Sequence, residues 1–140
     1  MASGIARLIF PAPPRSFPGR RGLKIALRAL HVLCTGVLTG AYLFDPGTEL
    51  RDPWLTAAIV SGFAILALDV HESGVFLLQV RGIVVAAKLV LLVALPWFAR
   101  PSWVLVGLML TSVVFSHAPS KVRYHVPFGG GRFIGARTKG

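Results

Sequence analysis

Four uninterrupted apolar stretches, at about residues 23–44, 54–70, 82–98 and 102–117, constrain this chain more than any other feature. At a rise of about 1.5 Å per residue, each is close to or above the length that a roughly 30 Å hydrocarbon core demands of a helix. No water reaches that core, so a spanning segment must be a helix or part of a closed barrel. Continuous apolar runs do not alternate as barrel strands do. The sequence therefore predicts an all-α, integral membrane four-helix bundle. Composition agrees, with 54 % hydrophobic and only 14 % charged residues, where a soluble domain carries roughly 25 % charged. A soluble chain of 140 residues would need more polar surface, and the same numbers exclude disorder for most of the chain.

Turn residues set the boundaries. Asp45-Pro46-Gly47 ends the first stretch, and Asp52-Pro53 precedes the second as an expected N-cap and first helical residue. Arg100-Pro101 separates the third and fourth, and Ala118-Pro119 closes the last. Residues 1–22 read as a Pro/Arg-rich tail, 23–118 as the bundle and 119–140 as a basic, Gly-rich tail. Val75–Val80 is too short to span and is either an interfacial turn or an extension of the third helix. The N-terminal tail has no apolar run longer than Leu8–Phe10, so it is expected to be retained rather than cleaved as a signal peptide.

The chain carries a formal charge of +10. Arg7, Arg15, Arg20, Arg21, Lys24, Arg28, Arg81, Lys121, Arg123, Arg132, Arg137 and Lys139 fall on one side of the four-span arrangement, against Arg51 and Arg100 on the other. Basic residues stay on the cytoplasmic side, so both termini are expected in the cytoplasm of a bacterial-type inner (plasma) membrane. Tyr42, Trp54, Trp97 and Trp103 sit at the opposite helix ends, where amphipathic rings prefer the interface. Bases clustered beside spans point to topology and anionic lipid, not to nucleic acid. Arg20, Arg21, Arg132 and Arg137 are the side chains expected to meet lipid headgroups or a partner.

Counting from the outer helix ends, His31, Asp69, Lys88 and His117 fall at one depth, roughly 18–22 Å down, with His71 slightly deeper. Ionisable groups inside a bilayer are costly and normally face inward and pair. One reading is a structural network: Asp69 with Lys88, the histidines with Thr35 or Ser116, and His71 with Glu72 at the mouth. The other is a ligand set. Two imidazoles at equal depth suit a haem b, with His31 and His117 as the matched pair and His71 as the substitute. Copper would instead draw on His31, His71 and His117 together with Cys34, one turn from His31. Cys34 is the single cysteine, which excludes an intramolecular disulfide.

Leu27-Arg28-Ala29-Leu30-His31-Val32-Leu33, followed by Gly36 and Gly40, resembles the first helix of the CopD-like (copper-resistance D) membrane domain. Arg81 to Leu91, with Lys88 in an apolar run, is similar to that family's third helix, so the resemblance spans about residues 23–100. It implies a membrane helical fold and copper handling. Phosphate loops, HExxH and dinucleotide fingerprints are missing, and Gly129-Gly130-Gly131 reads as a linker, so no reaction is assigned to the chain on its own. Two functions follow. One is a haem- or copper-binding protein of membrane electron transfer or metal handling. The other is a non-catalytic accessory subunit that scaffolds other membrane subunits.

Overall fold

The computed structural model describes residues 15–44 and 47–127. The expectations that rest on Asp45-Pro46, on the glycine run, on Arg132 and Arg137 and on the first 14 residues lie outside these. Phe17-Pro18-Gly19-Arg20 opens the structure as a turn, with the Arg20 N–H donating to the Phe17 carbonyl at 3.2 Å. Gly19 takes φ +80°, a conformation that L side chains rarely adopt, behind a proline that presets the residue before it. Helix α1 (Arg20–Phe44) follows, then α2 (Thr48–Glu72), a short α3 (Val75–Leu78) and α4 (Val80–Val93). A 3₁₀ turn at Leu95–Trp97, α5 (Pro101–His117) and a short α6 (Ser120–Arg123) complete the fold. The protein is all-α, with no strand among the described residues.

Several boundaries differ from the sequence reading. Helix α1 begins at Arg20, because the Pro18-Gly19 turn launches it three residues before the apolar run. Helix α2 begins at Thr48, capped by the extended backbone of Gly47, and Pro53 lies inside it. The Arg51 Nε donates to the Gly47 carbonyl at 2.7 Å and secures the first turn. Pro53 forfeits one N–H but keeps a φ that suits a helix, so it does not start one here. Asp52 is accordingly no N-cap; its carbonyl accepts from the Thr56 hydroxyl at 2.9 Å. Val75–Leu78 is a separate turn of helix, broken from α4 at Gln79. Gly82 lets α4 start so close to α3: a Cβ there would collide with the Phe76 carbonyl.

Helices α1 and α2 are each long and apolar enough to cross a membrane, and only 22 % of each one's apolar window is buried. A core helix of a soluble protein would be mostly covered. Here Val60, Phe63, Val90, Leu110 and Val114 are at least half exposed and cover the outside of the bundle. Helix α5 is apolar but shorter, at 17 residues.

The helices form a ring in which α1 packs on α2, α2 on α4, α4 on α5 and α5 back on α1. Packing is uneven along the bundle axis. Cys34, Leu38, Ala58, Leu92, Leu95 and Leu105 form the core, and all lie toward the end where α1 turns into α2. There α1 and α5 touch, the Thr39 hydroxyl lying 3.6 Å from the Met109 sulfur. At the other end, which carries most of the basic residues, the same two helices part.

Candidate functional site: a cavity at the splayed end

The parting of α1 and α5 leaves a cavity of about 760 Å³ between the four long helices. Val84, Val85, Leu89, Leu108 and Phe115 are among its apolar walls. Val32 and Val113 also line it, yet are 64 % and 58 % exposed, so the cavity opens sideways onto the apolar outside of the bundle. Its charged lining is mostly cationic: Arg28, Arg81, Lys88 and Arg123 against one carboxylate, Asp69.

His31 sits on the wall with its Nδ1 3.0 Å from the Ala58 carbonyl and 3.0 Å from the Ser61 hydroxyl. A carbonyl only accepts, so the Ala58 contact puts the ring proton on Nδ1 and leaves Nε2 with its lone pair. Gly62 makes room for this ring. A Cβ at that position would fall 2.6 Å from Leu89 Cδ2 and 3.1 Å from His31 Cε1, so a side chain there would push the Leu89 end and the His31 ring aside.

Asp69 is buried and ion-paired to Lys24, not to Lys88. The expected Asp69–Lys88 pair gives way because α1 runs antiparallel to α2 and lies against its carboxylate face, whereas Lys88 turns to α5. Its Nζ donates to the Ser112 hydroxyl at 2.8 Å and lies 5.9 Å from the Phe115 ring centre. Glu72 takes Arg20 at 2.8 Å and Lys24 at 3.1 Å. It lies two residues beyond the apolar run. Burial alone would raise its carboxyl, but hydrogen bonds from Arg20 and Lys24, reinforced by their charges, hold it below the ordinary glutamate range.

The three histidines do not come together. His117 is exposed, with Nδ1 turned back on its own helix toward the Val113 carbonyl at 2.9 Å and the Ser116 hydroxyl at 3.0 Å. His71 is exposed and packs edge-on against Phe17, 6.5 Å between ring centres. Only His31 lines the cavity. Cys34 is buried in the apolar core. Thr35 lines the cavity, but its hydroxyl donates to the His31 carbonyl rather than to the imidazole. Among the described residues no three His, Cys, Asp or Glu side chains are grouped to hold a metal ion. His31, His71, His117 and Cys34 are thus not grouped as one copper ligand set, and His117 does not share the cavity lining with His31. Of the bases expected to meet lipid, Arg20 is committed to Glu72, while Arg21 is exposed.

The cavity floor comes from residues that sequence reading placed in a free tail. The chain after α5 turns back, and the Val80 N–H donates to the His125 carbonyl at 2.9 Å. Val126 is buried there. The Arg81 guanidinium lies 5.0 Å from the Phe76 ring centre and 4.7 Å from that of Tyr124, and its Nε donates to Gln79 Oε1 at 2.6 Å. Arg123 lies 5.8 Å from the same Tyr124 ring, and its Nε is buried without a hydrogen-bond partner among the described residues. Ser61 has a signal in the sequence, a small polar residue inside an apolar run. Lys24, Arg123 and Tyr124 gave no local sign of their roles.

No family model matches the chain, and comparison with curated proteins and with solved structures finds no match either. None of these comparisons lends support to the expected CopD-like kinship.

Proposed function

We propose that this chain is a small polytopic membrane protein with four spans and both termini in the cytoplasm of a bacterial-type inner membrane. It serves as a non-catalytic accessory unit whose splayed end takes an amphiphilic ligand from the plane of the bilayer. The observation that carries this reading is the sideways opening of an apolar-walled cavity onto the exposed apolar faces of the bundle. A ligand dissolved in the hydrocarbon layer reaches such a site without crossing water. Helix α5 supports the four-span count, since 17 residues give about 26 Å. Helix α4 with its 3₁₀ extension reaches a similar length. Exposed Trp97 and Trp103 at the end opposite the bases fit an interfacial belt.

The test is a plug. Val113→Trp at the mouth should lower the yield of any amphiphile that co-purifies with the protein, with helix content unchanged. Equal retention by the plugged and native proteins would contradict the reading.

A haem reading keeps one supporting observation. The Ala58 carbonyl and Ser61 hydroxyl hold His31 Nδ1, as ligating histidines are held, leaving Nε2 as the donor atom. Its measurement is absorbance: a Soret band that His31→Ala abolishes would favour it, and colourless protein from haem-replete cells would sink it.

A further inference from the structure

We infer that the occupant of this cavity is an anionic membrane phospholipid, its phosphate held by Arg81 and Arg123 and its acyl chains leaving through the α1–α5 mouth. The inference rests on the ligand-cavity reading above and names the ligand's chemistry.

Charge bookkeeping comes first. Four cations line the cavity, and its one carboxylate is already paired to Lys24. Glu72 is consumed by Arg20 and Lys24, and Glu49 and Asp52 lie at the far end of α2. Among the described residues, no ion pair reaches Arg28, Arg81, Lys88 or Arg123. Like charges gathered on apolar walls repel unless an anion joins them.

The donors are also set for a phosphate. Arg81 is fixed in orientation by two rings and by Gln79, which uses only its Nε. Among the described residues its terminal N–H groups have no hydrogen-bond acceptor, and a planar guanidinium fork matches phosphate oxygens in pairs. The Arg123 Nε is buried and finds no acceptor among the described residues. A buried charged donor left unanswered is costly, so an acceptor from outside the chain completes it. Free phosphate would satisfy the arginines but not the valine, leucine and phenylalanine walls. A phospholipid satisfies both, and it arrives through a mouth that faces the bilayer.

The full chain, reconstituted into nanodiscs of phosphatidylcholine with a minor share of phosphatidylglycerol, is re-extracted in mild detergent. Bound lipid is then identified by native mass spectrometry. The expected result is retained phosphatidylglycerol in preference to phosphatidylcholine, insensitive to added inorganic phosphate. Arg81→Gln and Arg123→Gln should each weaken retention by about tenfold or more, the loss of a charge-assisted hydrogen bond. Arg123→Lys should keep part of it, and Arg51→Gln at the opposite end should change nothing. If Arg81→Gln does not fold, Arg28→Gln, which is exposed, replaces it and should show the same direction. Equal retention of both lipids, undiminished in the arginine variants, overturns the inference and leaves the cavity reading standing. Retention of a fatty acid or haem in place of phospholipid overturns it in the same way. No retained amphiphile from folded native protein overturns both.

Discussion

Single side chains decide how α1 meets α2. Asp69 is buried, and the charge that compensates it comes from Lys24 on the neighbouring helix. Breaking a buried pair costs more than removing both partners, because the survivor stays desolvated and alone. Lys24→Ala should destabilise the bundle by about 3 kcal/mol, whereas the double replacement Lys24→Met with Asp69→Leu should cost far less. Denaturant titration in micelles measures the difference. Equal losses in the two proteins would mean that the pair contributes nothing. Depth counting from the sequence found Asp69 as a buried acid in need of a partner. It chose Lys88, since depth alone cannot tell which face of each helix a side chain occupies. Gly62 was hidden for the same reason: its role is a close approach of His31 and Leu89 from two other helices.

At the scale of elements, the charged end of the α1–α2 pair should respond to acid. Glu72 is held below the ordinary glutamate range by Arg20 and Lys24 in the folded protein. Its contribution is therefore fully present above its unfolded value, about 4.3, and is lost as pH falls through the lower folded value. Thermal scans of the reconstituted protein should hold steady from neutral pH to about 5 and decline at more acid pH. Glu72→Gln should flatten that decline, and an unchanged acid response in this variant would assign it elsewhere. The all-α class and the apolar stretches were legible because each is a property of composition along the chain. Helix starts were not, since Pro53 reads as a start signal while the Gly47 cap lies five residues upstream of Asp52. The α3–α4 break and the return of residues 120–127 depend on contacts between distant segments: Gly82 with the Phe76 carbonyl, and Val80 with His125. A local pattern carries neither. The same holds for the site: counting positions along the helices of His31 and His117 carries no information on which way their rings point.

The whole molecule joins two unequal halves. One end is closed by the Leu38, Leu95 and Leu105 core and rimmed by tryptophans; the other is splayed, cationic and open to the side. On the proposed function, the bundle crosses a bilayer four times with its basic end in the cytoplasm. Single-cysteine labelling with a membrane-impermeant maleimide tests that most directly. Cys34→Ala removes the one native thiol. Into that background go, one at a time, Thr48→Cys and Arg100→Cys at the closed end, and Ser73→Cys and Lys121→Cys at the splayed end. The account predicts that intact cells label the first two positions, and that the other two label only after the membrane is permeabilised. Labelling of Thr48→Cys and Ser73→Cys from the same side would mean that α2 does not cross, and would contradict the account.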